Sequence, residues 1–350
     1  MKEKKRRILV LGYFGYQNNQ LDGQTIKTRN VYELLELYGS DNFLLSHFDT
    51  QDFQYNKSSL LRMLKLLMNC DSLVYLPAQN NLTYIFPFIY VLSLVKRFDI
   101  LYIVIGGWLS SYLKNKRIHR YMLSHIKGIF LENSSVYKEM KERYSLQNVY
   151  ISPNFRIHSF APLISSNQNQ FRVVFMSRIM LEKGIDTVFL LARKLSEKYM
   201  EGQVIIDFYG QIAEKDKIYF EEQVRENSII SYKGELAPAE IYQTLTTYDL
   251  LILPTKYMTE GFPGAILDAY ISGIPVIVSN WNNSREYVDN GKTGYICDVN
   301  NVNEFYDKIE YLYMNRSLLE QMKVFAYEKS KEFHADKIWE QLKCFLIEEK

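Results

Sequence analysis

Residues 249–272 read DLLILPTKYMTEGFPGAILDAYIS, and this stretch decides the fold. Asp249 to Pro254 is an apolar run with the length of a buried parallel strand, Thr255 to Phe262 reads as loop, and Pro263 to Ser272 reads as helix. Strand, loop and helix in that order form one unit of an open α/β sheet, where ligands bind at the loops leaving the carboxyl ends of the strands. The loop and helix carry two carboxylates eight positions apart, Glu260 and Asp268. A Glu in the loop and an Asp just over one turn into the helix can flank one ligand, while the free N–H groups of the helix start face an anion. A sugar nucleotide meets all three demands.

Outward from this stretch the same alternation recurs. The second half offers strands at Arg172 to Met176, Val204 to Tyr209, Ile229 to Tyr232, Leu250 to Leu253 and Pro275 to Val278. In the first half they fall at Ile8 to Tyr13, Phe43 to Phe48, Ser72 to Leu76, Leu101 to Ile105, Gly128 to Leu131 and Val149 to Ile151. Helical stretches lie between them; Ile26, Val31, Leu34, Leu35 and Tyr38 share one face of a helix that follows Gly23. Two doubly wound α/β units are expected, a division that suits 350 residues at about 150 per domain. Ser152 to Gln170 is polar, contains Pro153 and Pro162, lacks apolar periodicity and is read as the linker.

Composition narrows the setting. Cys70, Cys297 and Cys344 show no metal-ligand or disulfide spacing, which points to a reducing cytoplasm. Behind the basic start Met1 to Arg7, the apolar stretch Ile8 to Phe14 is too short for a signal sequence. The net charge of +2 hides an asymmetry: residues 1–155 hold 20 Lys and Arg against 12 Asp and Glu, the remainder 22 against 28. A basic half suits an anionic membrane surface or a phosphorylated acceptor; no nucleic-acid motif accompanies its dispersed cations. Leu82 to Val95 is apolar almost throughout, ends in Lys96-Arg97 and contains Pro87. At fewer than the about 20 residues a bilayer requires, it reads as a buried helix or as one bedded in a membrane interface.

A second chemical cluster lies in Ser177-Arg178-Ile179-Met180-Leu181-Glu182-Lys183-Gly184, directly after a strand. Arg178 and Lys183 there reach the same carboxyl edge as Glu260, and two cations can meet one diphosphate, Arg as a planar fork and Lys as a point charge. With Glu260-Gly261-Phe262, Asp268, Gly273-Ile274-Pro275 and Asn290-Gly291-Lys292-Thr293-Gly294, this order of motifs from Arg172 to Asp298 resembles the C-terminal half of family 4 glycosyltransferases, of the group 1 type. Asp22-Gly23-Gln24-Thr25 resembles the glycine loop of that family's N-terminal half.

The resemblance implies the GT-B fold, two Rossmann-like domains facing each other across a cleft. It divides the chain into an acceptor domain at 1–155, a nucleotide-sugar domain at 156–330 and a terminal helix at 331–350 returning to the first domain. It implies retaining transfer from a nucleoside diphosphate sugar, a UDP-sugar in preference to GDP-mannose, to a glycan or lipid-linked acceptor of bacterial surface polysaccharide synthesis. Arg178, Lys183 and Glu260 would be catalytic, the first two on the diphosphate and Glu260 facing the sugar. Gly23, Gly261, Phe262, Gly264, Ala265 and Asp268 would complete the donor site, Asp268 standing where the family usually has a Glu on the ribose hydroxyls. No metal or other cofactor is implied, since the chain has no Asp-x-Asp motif and the cations can take a metal's place. The setting implied is the cytoplasm, peripheral on the inner face of the membrane.

The chain departs from that family pattern at three places. Asp268 replaces Glu, and Asp268→Glu is the exchange expected to be best tolerated. Pro263 replaces a common Gly and is expected at the first helical position, where its fixed φ suits the helix. Gly106-Gly107-Trp108 stands where many members carry a His that contacts the donor sugar. Trp108 can stack on a sugar ring or pack in the core, and His119 and His125 are read as surface or helix-packing residues. Two rival classes remain. A nicotinamide enzyme fits poorly, because Gly12-Tyr13-Phe14-Gly15 lacks the rest of the dinucleotide fingerprint. The other is a silent sugar-nucleotide-binding partner of another transferase.

Overall fold

The structure is a computed structural model, and it describes residues 5–18, 20, 22–56, 58–163, 170–200 and 202–347. The chain forms two compact units, Met1–Ile157 with Phe333–Lys350, and His158–Glu332. The first contains β1 (Arg6–Gly12), β2 (Phe43–Asp49), β3 (Ser72–Leu76), β4 (Asp99–Ile103), β5 (Gly128–Leu131) and β6 (Val149–Ile151). They make one parallel sheet in the order β2-β1-β3-β4-β5-β6. The second contains β7 (Phe171–Met176), β8 (Val204–Tyr209), β9 (Ile230–Tyr232), β10 (Leu250–Leu253), β11 (Val276–Ser279) and β12 (Gly294–Cys297). Its parallel order is β12-β11-β10-β7-β8-β9.

Helices cover both faces of each sheet, which is why the central strands are apolar without alternation. Ile8 to Leu11 and Leu250 to Leu253 are buried at every position. All eleven expected strands are present with ends moved by at most two residues, as at β1, which begins at Arg6, and β4, which begins at Asp99. The strand that periodicity missed is β12. Its four residues open on Gly294, a punctuation signal for loop. A Cβ there would lie 2.1 Å from the Val276 carbonyl oxygen, so the glycine admits close pairing with β11.

Two other expectations shift. Residues 164–169 of the expected linker lie outside the described residues, and its start is built into the first unit, where the Ser152 amide bonds the Leu131 carbonyl at 2.6 Å and Phe155 is buried. The apolar stretch Leu82 to Val95 is not one buried helix but two, Gln79–Tyr84 and Phe86–Lys96, broken where Pro87 at the start of the second removes a donor. Among the described residues no helix is long and apolar enough to cross a membrane.

The first unit's core takes in the end of the chain. Trp339, Leu342 and Leu346 of the helix Ala335–Leu346 join Ile8, Val10, Val31, Leu34 and Phe43 in one buried cluster. Trp339 stacks on Tyr38 at 5.9 Å between centroids, and the Tyr38 hydroxyl donates to Asp336 at 2.5 Å. That bond to a carboxylate pushes the Tyr38 hydroxyl up to about 12. Trp339→Ala removes a buried ring from this cluster and is expected to cost about 3–5 kcal/mol. The midpoint of denaturant unfolding measures it, and a midpoint at the parental value contradicts the packing role.

Candidate active site

In the second sheet the chain runs from β7 outward through β8 and β9, then returns across the sheet to β10 on the other side of β7. The loops after β7 and β10 therefore leave adjacent strands in opposite directions at the topological switch point, where α/β sheets bind ligands. Lys183 lies in the first loop and Glu260 in the second.

The two loops are held together by close backbone approach. Gly184 has φ +81°, and a Cβ there would sit 2.0 Å from the Pro254 carbonyl oxygen. The Lys256 amide donates to the Glu182 carbonyl at 2.9 Å, and the Lys256 ammonium reaches Asp186 at 2.6 Å. On this frame Lys183 Nζ lies 2.6 Å from Glu260 Oε2, with the two side chains 16% and 17% exposed. Thr255 Oγ1 also approaches Glu260 Oε2 at 3.3 Å, Asn283 Nδ2 donates to the Glu260 carbonyl at 3.1 Å, and Lys183 stands 5.2 Å from the Tyr257 ring centroid. Two opposite charges at one edge of a sheet, each still open to water, can be drawn toward a ligand bearing both phosphate and hydroxyl groups.

Arg178 is exposed in the loop after β7. Its neighbours are fixed: Ser177 and Ile179 donate amides to the Tyr209 and Gln211 carbonyls at 3.1 and 2.9 Å. Gly210, at φ +134°, lies where a Cβ would meet the Ser177 carbonyl oxygen at 2.0 Å. Loops after β7, β8 and β10 thus share one glycine-packed edge.

The helix after β10 is Gly264–Ile271, with Pro263 at the N-cap and no side chain capping it. Pro263 therefore stands one position ahead of the expected first helical residue; its φ of −59° suits either place, and its ψ of 124° belongs to the cap. Gly264 and Ala265 are partly exposed at the helix start, as an anion site needs. Gly261 is buried, and the Phe262 ring stacks on Tyr287 at 4.1 Å with 5° between planes. The Phe262 side chain is thus a packing group, leaving its backbone as the part that can face a donor. Asp268 is only 4% exposed on the second turn of the helix.

In the first unit, Gly23 opens the helix Gly23–Gly39 behind Asp22, whose carboxylate accepts the Gln24 and Thr25 amides. A Cβ on Gly23 would meet nothing within 4 Å. The turn that favours glycine is at Gly15, with φ +65° and Thr25 Cγ2 2.8 Å from the position of a Cβ. The buried face of that helix contains Lys27 where Ile26 was expected, because Lys27 Nζ pairs with Glu132 at 2.8 Å, both fully enclosed. Glu132 also accepts the Gly106 amide at 2.9 Å, which ties the Gly106-Gly107-Trp108 segment to β5 and to the helix. No sequence signal marks this triad, since Lys27 and Glu132 are 105 residues apart.

Trp108 is partly buried against the core, edge-on to Tyr112, with its indole N–H bonded to the Ile105 carbonyl at 2.8 Å. His119 is buried with Nε2 3.1 Å from the Leu82 carbonyl, a helix-packing residue, and His125 is exposed. Burial pushes the Cys70 and Cys297 thiols up to about 12, which disfavours their thiolate forms. A further cavity in the first unit, about 290 Å³, is lined by Tyr16, Gln17, His47, Asp49, Asp52 and Arg62.

Comparison with known proteins bears on the family and the fold. Residues 161–329 match the family described as glycosyl transferases group 1. The poly(ribitol-phosphate) alpha-N-acetylglucosaminyltransferase of Staphylococcus aureus is 24% identical over 207 residues, which take in 57% of this chain and 40% of that relative. The chain spans about half the length of the curated relatives it matches first, 40%, 57% and 45% for the leading three. Among solved structures, sucrose-phosphate synthase from Thermosynechococcus elongatus superposes with a TM-score of 0.76 over 97% of this chain and 98% of its own, at 12% identity. HepE from Anabaena, solved in complex with UDP-glucose, gives 0.72 over 97% and 99% at 16% identity. At such identities the likeness establishes the fold, which is GT-B, with two Rossmann-like units.

Two substitutions test the frame. Gly184→Ala forces a side chain onto the Pro254 carbonyl in a left-handed backbone and is expected to lose about 2 kcal/mol or more; an unchanged melting temperature contradicts the close approach. Lys27→Met leaves Glu132 buried without its ammonium partner and is expected to cost about 3–5 kcal/mol, read in the same melts.

Proposed function

We propose, from the match of residues 161–329 to the glycosyl transferases group 1 family, that this protein transfers a sugar from a nucleoside diphosphate sugar to a hydroxyl of a glycan or lipid-linked acceptor, in bacterial surface polysaccharide synthesis. The observation that carries the proposal is the Lys183–Glu260 contact at the switch point, beside the uncapped helix start at Gly264. As the anomeric bond breaks, negative charge gathers on the departing diphosphate and positive character on the sugar ring. Arg178, Lys183 and the amides of Gly264 and Ala265 stabilise the diphosphate, and Glu260 faces the sugar. Asp268 is the group for the ribose hydroxyls. Its burial changes one expectation, since the extra methylene of Asp268→Glu needs room inside a packed helix and costs about 1–3 kcal/mol.

A UDP-sugar is the donor we favour. The UDP-glucose bound to HepE supports it. Retention of anomeric configuration follows if the acceptor attacks on the leaving-group face, a course that needs no protein nucleophile and leaves Glu260 its electrostatic task. The reaction is proposed to proceed without a metal, the two cations and the helix start serving the diphosphate. Three free cysteines fit a reducing cytoplasm.

Lys183→Ala and Glu260→Ala are each expected to lower kcat/KM for transfer, followed as nucleoside diphosphate release, by about 10²–10³-fold. Parental rates in either variant rule out the site. Transfer is expected to continue in excess chelator; a loss that only added Mg²⁺ or Mn²⁺ repairs rules out the metal-free course. The glycines at 106 and 107, where many members carry a His, favour one second reading, a silent sugar-nucleotide-binding partner of another transferase. Donor binding in a thermal-shift titration without hydrolysis or transfer over an acceptor panel would select that reading.

A further inference from the structure

The helices Phe86–Lys96 and Arg117–Ser124 pack against each other in the first unit, and the His119 ring nitrogen 3.1 Å from the Leu82 carbonyl ties the second to the preceding turn of chain. Phe86, Ile89, Tyr90 and Ser93 are turned inward at helical spacing. The opposite stripe is also apolar, yet it faces water. Val91 is 59% exposed, Leu94 61%, Val95 72%, and on the neighbouring helix Ile118 73% and Tyr121 62%. A helix that buries one apolar stripe and exposes another has a second apolar surroundings to enter.

Charge says which. Residues 72–131 contain seven Lys and Arg and a single acid, Asp99. That acid is itself ion-paired with Arg6 and with Lys127, the latter at 2.7 Å. Lys96 and Arg97 follow the exposed stripe on one helix, while Lys114 and Arg117 precede it on the other, and all four are exposed. Arg97 holds a left-handed conformation, φ 56° and ψ 45°, at a helix end where glycine is the favoured residue. A cation therefore occupies a place that backbone preference assigns to glycine. An apolar face rimmed by cations, in a segment whose single acid is paired, is complementary to an anionic lipid surface, into which side chains of this length sink to the boundary of head group and acyl chain.

We propose that this face beds the first unit onto the surface of an anionic phospholipid bilayer, with Val91, Leu94, Val95, Ile118 and Tyr121 in the interface and Lys96, Arg97, Lys114 and Arg117 on the head groups. The surface acts without donor or transfer chemistry, so its test stands apart from the enzymatic one.

Full-length protein is sedimented with sucrose-loaded vesicles of phosphatidylcholine, with and without about 30 mol% phosphatidylglycerol. The expected partition onto the anionic vesicles is at least about 10-fold stronger and falls with added salt. The double variant Lys96→Gln with Arg97→Gly loses about 30-fold, and Val91→Ser with Val95→Ser a similar factor, while both keep the parental melting temperature. Absence of binding to anionic vesicles overturns the proposal. So does binding by which neutral vesicles match anionic ones, or binding that both double variants retain. Self-association in sedimentation velocity without lipid, dispersed by Val95→Glu, assigns the face to a second copy of the chain and likewise overturns it.

Discussion

The approach of Gly184 to the Pro254 carbonyl is the constraint on which the second unit's edge depends. A missing Cβ lets two loops from adjacent strands touch backbone to backbone. Only then do Lys183 and Glu260, 77 residues apart in the chain, come within 2.6 Å. The Lys256 links to Glu182 and Asp186 follow from the same contact. Gly210 repeats the device one strand over, against Ser177, and positions the backbone on either side of Arg178. A chemical site is thus assembled by absent side chains as much as by present ones.

Electrostatics separates the two kinds of ion pair in this protein. Lys183 and Glu260 keep some exposure, so water screens their attraction and a ligand can compete for either partner. Lys27 and Glu132 are enclosed, with 1% and 3% of their side chains exposed, and nothing can compete there. Such a pair is better suited to fixing geometry than to chemistry. Through the Gly106 amide it fixes the segment Gly106-Gly107-Trp108, which stands where many members of the resembled family carry a His.

Much of the fold was legible because parallel strands buried on both faces must be continuous apolar runs, and Leu250 to Leu253 or Ile8 to Leu11 admit no other reading. Arg178, Lys183, Glu260 and Gly264 could be gathered on one edge for the same reason, since a strand followed by a helix puts its loop at the carboxyl end. Residues whose role comes from a distant partner could not be read so. Lys27 carries no local sign of its enclosed partner Glu132, Gly15 stands in the sequence only as part of an incomplete dinucleotide fingerprint, and the stacking of the Phe262 ring on Tyr287 is set by a residue 25 positions away.

By itself, then, the sequence determined two doubly wound sheets, the edge on which charge gathers, and the apolar stretch Leu82 to Val95. Periodicity and local turn chemistry are properties of neighbours along the chain, and they survive being read one residue after another. Tertiary structure alone decided that Lys183 meets Glu260, that Lys27 is enclosed, that Asp268 is buried, and that the apolar stretch breaks at Pro87 with Tyr84, Phe88, Val91, Leu94 and Val95 turned outward. Those outcomes depend on which surfaces remain after the helices have packed. No residue carries that information until its distant partners are in place.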